Sequence, residues 1–175
     1  VDKNIYCHFR KPARKAQLYY DNQENLEIHS VLGNNEMHVG LYSEIPDSAF
    51  PNCVDRATMV DAEHRATNRL LHMSKINPKS VIAEFGSGFG NAANLALSSH
   101  TAPGCYKCID ISATNMDVAR TVNATHPQER IQYLVRDFAD TGLPDASVDV
   151  VISQDSLLHA TAVMDRVLEE AFRIL

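Results

Sequence analysis

The sequence predicts an α/β fold: a parallel β-sheet flanked by helices, preceded by an N-terminal helical segment. Short apolar runs of strand length recur along the second half of the chain, at residues 81–85, 105–110 and 131–136, and residues 143–153 form a turn into a fourth run. The stretches between them carry apolar residues at helical spacing, and glycine or proline marks the turns. Strands that alternate with helices form parallel sheets, because parallel neighbours need a crossover connection.

Composition narrows the classes of function. The chain has 175 residues and 45% hydrophobic residues, enough for about one domain with its own core. Its net charge of −6 gives no general attraction to nucleic acid, and no apolar run is long enough to span a bilayer. We therefore expect a protein that contacts neither nucleic acid nor membrane and is located in the cytoplasm, with an organelle as the alternative because the first 17 residues are basic.

The spacing of the cysteines and histidines does not match a metal-binding pattern. The four cysteines are more typical of reduced thiols than of a disulfide framework. Cys105 and Cys108 have C-x-x-C spacing, but they fall inside a predicted strand, where residues three apart point to opposite faces. His64 and His72 lack the spacing that places two ligands on one helical turn. We expect no bound metal.

The most informative segment is the glycine-rich turn that follows the first strand. Three glycines, Gly86, Gly88 and Gly90, alternate with Ser87 and Phe89, and Glu84 precedes them at the end of the strand. Such a turn lets the backbone approach a ligand closely. A carboxylate there repels a pyrophosphate but can bind an ammonium group. The spacing also departs from the G-x-G-x-x-G of dinucleotide sites, so an amino-acid nucleoside fits better than NAD, which remains the weaker alternative.

Two further groups of polar residues follow later strands. Asp110 closes the second strand 20 residues after Gly90, the position from which a carboxylate can accept both ribose hydroxyls. It could instead cap the helix that starts near Ser112. Past the fourth strand, Asp155 and His159 are four residues apart and would share a face on one helical turn. The alternative is an N-cap aspartate and a surface histidine.

The glycine segment resembles motif I of the Rossmann-like S-adenosylmethionine-dependent methyltransferases. The N-terminal pattern Tyr19-Tyr20-Asp21, with Gly33 and the run from His38 to Tyr42, is similar to the lid of the small-molecule group that includes sarcosine/dimethylglycine and phosphoethanolamine methyltransferases. The resemblance implies S-adenosyl-L-methionine as the cofactor and a small-molecule amine as the methyl acceptor.

The resemblance also assigns residues. It implies that Asp137 and Phe138 hold the adenine, and that His159 pairs with the lid tyrosine Tyr20 while Asp155 assists as a third catalytic residue. The predicted cofactor site comprises Glu84, Gly86, Ser87, Gly88, Gly90, Asp110, Ile111, Asp137, Phe138 and Gln154.

We expect two parts: an N-terminal helical lid over residues 1–75 and a partial Rossmann-like domain over residues 76–175. A complete fold of this type has three more strands, so the C-terminal strands are expected to be missing. A methyltransferase and a non-catalytic cofactor-binding protein or fragment therefore both stay open, and a homodimer is an option.

Overall fold

The structure, a computed structural model, describes residues 11–22, 40–41 and 56–175. Most of the predicted lid pattern, including Gly33 and His38, lies outside these residues. The α-helices are α1 (Lys11–Tyr20), α2 (Arg56–Met73), α3 (Asn91–Ser98), α4 (Ala113–Val122) and α5 (Met164–Ile174). The strands are β1 (Val81–Phe85), β2 (Cys105–Asp110), β3 (Ile131–Val135) and β4 (Val150–Ile152), and two 3-10 helices span Gln128–Arg130 and Leu157–Val163.

The four strands form one parallel sheet in the order β3-β2-β1-β4. The chain moves outward from β1 through β2 to β3, and then returns to place β4 on the other side of β1. The order therefore reverses beside β1, and ligands of such sheets bind at the carboxyl ends of the strands at this point. The predicted Rossmann-like parallel sheet is confirmed.

The core consists of two apolar layers, one on each face of the sheet. Ile82, Tyr106 and Cys108 pack on one face against buried residues of α3 and α4. Phe85 and Ile109 pack on the other face, which α5 covers with Val167 and Ile174. Alternate residues of β1 and β2 thus serve opposite layers, as the period of a strand requires.

Several predicted bounds were wrong. The third and fourth strands are shorter than the apolar runs that predicted them, since β3 ends at Val135 and β4 at Ile152. A 3-10 helix continues to Val163 before α5 begins at Met164. The division into a lid and a cofactor domain at residue 75 stays a prediction.

The described part of the chain has no helix that is long and apolar enough to cross a membrane. Within the same residues there is no group of three or more histidine, cysteine or acidic side chains that could hold a metal ion. Cys105 and Cys108 are free thiols.

Candidate cofactor and acceptor site

A cleft lies at the carboxyl ends of β1, β2 and β4, where the strand order reverses. Its walls come from the glycine turn, the end of β2, the segment after β4, and the lid helix α1. The lining residues are Tyr20, Gly86, Gly88, Asp110, Ile111, Asn115, Phe138, Gln154, Asp155, Ser156 and His159. The structure therefore brings together nine of the thirteen residues that the sequence predicted for the site.

The glycine turn is held by hydrogen bonds within the protein. The amides of Gly86 and Ser87 both donate to the Ile109 carbonyl at 2.8 and 3.1 Å, and the Gly90 amide donates to the Ser87 carbonyl at 2.9 Å. The Gly88 amide donates to Asp110 Oδ2 at 2.9 Å. Since a pyrophosphate is bound mainly by free backbone amides at such a turn, these four amides leave little to bind one. The turn suits a ligand without phosphate.

Positive φ angles explain the glycines. Gly86, Gly88 and Gly90 have φ of 75, 51 and 75°, a region that glycine enters without steric cost. At Gly86 a Cβ atom would also lie 2.2 Å from Ser156 Cβ, so one of the two segments would have to move. The turn can therefore pass directly beneath the segment that follows β4.

Asp110 lies at the end of β2 and is buried. Its Oδ1 accepts from the Ser112 amide at 2.9 Å and from Asn115 Nδ2 at 3.3 Å, while Oδ2 accepts from Gly88. Burial raises the pKa of this carboxyl, and the three hydrogen bonds partly oppose that shift. The alternative that Asp110 caps the next helix is wrong, because Ser112 is the N-cap and accepts from the Asn115 amide.

The segment after β4 is shaped by serines. The Ser153 and Ser156 hydroxyls lie 2.6 Å apart, and each lies within hydrogen-bond distance of the Phe85 carbonyl at the end of β1. Asp155 has φ of 53° and precedes the 3-10 helix that starts at Leu157. The prediction that Asp155 and His159 share one helical turn was therefore wrong, although both line the cleft. Gln154 Oε1 accepts from Thr67 of α2 at 3.2 Å.

Tyr20 and His159 meet across the mouth of the cleft. The Tyr20 hydroxyl lies 2.9 Å from His159 Nε2, and the two rings are perpendicular with centroids 5.6 Å apart. Burial lowers the pKa of His159 and raises the pKa of Tyr20, and the charge of Asp110 raises the tyrosine pKa further. Near neutral pH the histidine is therefore neutral and the tyrosine protonated, and the tautomer of the histidine decides which of the two donates.

A second hydrogen bond holds the C-terminal end of α1 in place. Asp21, the residue after α1, accepts from the Ser112 hydroxyl at 2.5 Å. Because Ser112 also caps α4 and contacts Asp110, the end of α1 is connected to the end of β2 as well as to His159.

Four of the predicted residues do not line the cleft: Glu84, Ser87, Gly90 and Asp137. Glu84 is buried in β1 and accepts from the Tyr106 hydroxyl at 2.8 Å. Asp137 Oδ1 accepts from the Ala139 amide at 2.9 Å, and its neighbour Phe138 lines the cleft and stacks on Phe85 with ring centroids 5.8 Å apart. Their assigned roles stay predictions.

Sequence reasoning missed two residues that line the cleft, Asn115 and Ser156. Asn115 follows Asp110 by five residues, one turn into the helix after the acid, a position that a polar side chain can use to reach the same ligand. Ser156 belongs to a polar run that the sequence analysis singled out only for its aspartate, glutamine and histidine.

Residues 83–175 match the sequence family described as "Methyltransferase domain", which covers more than half of the chain. The chain belongs to this family. Membership confirms the predictions of a Rossmann-like methyltransferase domain and of S-adenosylmethionine as its cofactor.

The curated relatives are named as N-methyltransferases of small amines. The chain is 32% identical over 164 residues to a glycine/sarcosine/dimethylglycine N-methyltransferase of Actinopolyspora halophila, covering 91% of this chain and 26% of that protein. It is also 32% identical over 164 residues to a dimethylglycine N-methyltransferase of Parasynechococcus marenigrum (strain WH8102), covering 91% and 54%. The chain thus spans about half, or less, of the length of these relatives.

A solved structure supports the fold. Geranyl diphosphate C-methyltransferase from Streptomyces coelicolor A3(2) superposes with a TM-score of 0.76 at 16% identity, covering 95% of this chain and 62% of that one. At this identity the likeness concerns the fold alone.

Proposed function

We propose that the chain forms the lid and cofactor site of an S-adenosylmethionine-dependent N-methyltransferase whose acceptor is a small amine of the sarcosine or dimethylglycine kind. The observation that carries the proposal is the 2.9 Å contact between Tyr20 and His159, which joins the lid helix to the segment after β4 at the mouth of the cleft. The curated relatives supply the acceptor class. Phosphoethanolamine is the second acceptor to test, because the tyrosine–histidine pair resembles that group.

The cleft fits the cofactor. The carboxylate of Asp110 is an acceptor for ribose hydroxyls, and the ring of Phe138 offers an apolar face for an adenine. The buried carboxylate of Glu84 lies at the glycine turn and could bind the ammonium group of the methionine part. S-adenosylmethionine supplies an electrophilic methyl group when bound.

His159 can prepare the acceptor. An amine attacks only through a free electron pair, so an ammonium acceptor must first lose a proton. His159 has a pKa below its ordinary value and is therefore neutral near pH 7, able to take that proton. Tyr20 holds the ring through Nε2, so a small rearrangement of this hydrogen bond would free the nitrogen for the acceptor.

The lid helix contributes by excluding water and fixing geometry. Tyr20 closes the mouth of the cleft, and Asp21 fastens the same end of α1 to Ser112. Methyl transfer needs an in-line approach of two reactants, for which positioning and a dry site supply much of the rate.

The test is methylation of sarcosine, dimethylglycine and phosphoethanolamine by the polypeptide that carries this chain, with product measured by mass spectrometry. His159→Ala should lower turnover about a hundredfold or more, with little change in affinity for S-adenosylhomocysteine, as expected for removal of a positioned base. Tyr20→Phe should lower turnover less, because the ring still covers the cleft.

A matched control is His126→Ala. His126 also makes a ring hydrogen bond, to Asn94 Oδ1 at 2.7 Å, but does not line the cleft, so turnover should be retained. Turnover unchanged by either Tyr20→Phe or His159→Ala would refute the proposed roles. Cofactor binding without methylation of any of the three amines would favour the non-catalytic binding protein.

A further inference from the structure

The carboxamide of Gln154, in the wall of the cleft, is oriented by a residue outside the cleft. Gln154 comes shortly after β4 and lines the cleft together with Asp155 and His159. Its Oε1 accepts a hydrogen bond of 3.2 Å from the hydroxyl of Thr67, a fully buried residue of α2 that does not line the cleft. Because the oxygen and the nitrogen are separate branches of one planar group, this bond turns Oε1 toward α2 and leaves Nε2 for the cleft.

The Nε2 group of Gln154 is available to a ligand. It makes no hydrogen bond with any of the residues that the structure describes. An amide nitrogen carries two N–H donors and accepts nothing, so the ligand atom that it binds must be an acceptor. Carboxylate oxygens are strong acceptors, since a hydrogen bond to an ionised group is roughly twice as strong as one between neutral groups.

The other side chains of the cleft leave few donors for a carboxylate. Asp110 and Asp155 contribute acidic groups, and no lysine or arginine lines the cleft within the described residues. The Ser156 hydroxyl is bonded to the backbone of β1, and Asn115 directs its Nδ2 to Asp110. A ligand carboxylate in this cleft therefore needs a neutral donor, and Gln154 supplies one.

We propose that Gln154 binds the carboxylate of the methyl acceptor through Nε2, and that Thr67 is the positioning residue that keeps this donor facing the cleft. The inference rests on the proposed function, since it concerns the acceptor of the same transfer. It moves Gln154 from the predicted cofactor site to the acceptor site. The location supports this, because Gln154 lies in the same wall as His159, whereas the predicted cofactor acids Glu84 and Asp110 lie on β1 and β2.

The experiment compares two acceptors with the same tertiary amine: dimethylglycine, which ends in a carboxylate, and N,N-dimethylethanolamine, which ends in a hydroxyl. KM and kcat are measured for both with the polypeptide that carries this chain and with its Gln154→Glu variant, in which an oxygen replaces the amide nitrogen. KM for dimethylglycine should rise about thirtyfold, through loss of a hydrogen bond to a charged group and added repulsion. KM for dimethylethanolamine should stay the same or fall, because the new carboxylate attracts its ammonium group.

Two substitutions of Thr67 test the positioning role. Thr67→Val keeps the shape of the side chain and removes the hydroxyl, so KM for dimethylglycine should rise about fivefold with kcat nearly unchanged. Thr67→Ser keeps the hydroxyl and should restore KM toward that of the unmodified polypeptide. Equal changes of KM for the two acceptors in Thr67→Val would show a merely structural role and overturn the positioning.

Gln132→Glu is the matched control for the added charge. Gln132 is exposed on β3, accepts from Lys107 at 2.8 Å and does not line the cleft, so KM for both acceptors should be retained. Gln154→Met, which keeps the length of the side chain and removes the donor, gives the same comparison if Gln154→Glu does not fold.

Titration calorimetry with S-adenosylhomocysteine separates the two carboxylates that could enter the cleft. Its affinity should be nearly unchanged in every variant. A loss as large as the loss on dimethylglycine would assign Gln154 to the carboxylate of the cofactor and overturn the inference. Equal KM values for the two acceptors in the unmodified polypeptide would also overturn the inference alone. If the unmodified polypeptide methylates neither amine, the proposed function fails and the inference fails with it.

Discussion

Gly86 is the residue at which the glycine turn comes closest to the segment after β4. Its φ is +75°, and a Cβ there would lie 2.2 Å from Ser156 Cβ and 2.5 Å from Ser156 Oγ. Ser156 cannot easily withdraw, because its hydroxyl donates to the Phe85 carbonyl and is bonded to Ser153. Both the backbone conformation and the close approach therefore require glycine.

We predict that Gly86→Ala lowers the free energy of unfolding by about 2–5 kcal/mol, the sum of roughly 1–2 for a positive φ and 1–3 for overpacking. Urea unfolding followed by circular dichroism measures it. Gly142→Ala is the control, since Gly142 has φ of +68° but a Cβ there would have Arg136 Nε at 3.9 Å. The control should show the conformational cost alone. Equal losses in the two variants would contradict the close approach.

Single residues also show which features of the site could be predicted from the sequence alone. The role of a glycine turn is local, so its position could be predicted from the alternation of Gly86, Gly88 and Gly90. The use of Asp110 could not be predicted in full, because its partners include Gly88, 22 residues away, and Asn115, whose polar contact has no sequence motif. Hydrogen bonds with residues distant in the sequence decide how many lone pairs of a carboxylate remain for a ligand.

At the scale of elements, α5 is joined to the loop before β4 by a charged network. Glu170 of α5 accepts from the amide and hydroxyl of Thr141 at 2.8 and 2.5 Å. Arg173 donates to both oxygens of Glu170 and to Asp145 Oδ1 at 2.5 Å. The helix that covers one face of the sheet is thereby fixed to the loop that leads into β4.

We predict that this network makes the stability of the chain sensitive to acid. The hydrogen bonds from Arg173, assisted by Thr141, lower the pKa of Glu170 from 4.5 to about 2. A carboxyl whose pKa is depressed in the folded state contributes stability that is complete above pH 4.5 and is lost as the pH falls toward 2. Glu170→Gln should therefore lower the melting temperature near pH 7, and the difference from the unmodified chain should shrink below pH 4.5.

The measurement is a series of thermal melts between pH 3 and pH 7. Glu169→Gln, at the exposed neighbouring position, is the matched control and should leave the melting temperature nearly unchanged at every pH. A difference between Glu170→Gln and the unmodified chain that stays constant down to pH 3 would mean that Glu170 stabilises by packing rather than by its charge.

The elements themselves were predicted unevenly. The strands and the helices between them follow from apolar runs and turn residues, so their existence and order could be predicted. The 3-10 helix at Leu157–Val163 could not, because the turn before it depends on Ser153 and Ser156 reaching the Phe85 carbonyl, some 70 residues earlier in the chain. That contact places Asp155 outside the helix and leaves His159 facing the cleft.

At the scale of the whole molecule, the cleft joins parts that are distant in the sequence. α1 contacts the 3-10 helix through Tyr20 and His159 and contacts the start of α4 through Asp21 and Ser112. The strand order places the ends of β1, β2 and β4 beneath these contacts. A ligand that filled the cleft would therefore touch α1 and the sheet together, so its binding should stabilise both.

The last prediction is that S-adenosylhomocysteine stabilises the chain and NAD does not. A ligand that binds only the folded state adds about 2.7 kcal/mol to the free energy of unfolding at 100 times its dissociation constant, which raises the melting temperature by several degrees. NAD should give no shift, because four amides of the glycine turn are already bonded within the protein and cannot bind a pyrophosphate. Asp110→Ala should weaken S-adenosylhomocysteine by about 1.5–3 kcal/mol, the loss of hydrogen bonds to a charged group, and its melting temperature should rise less at the same ligand concentration. Thermal melts with each ligand at matched concentration decide the matter, and a shift with NAD but none with S-adenosylhomocysteine would contradict the cofactor that the turn and the family indicate.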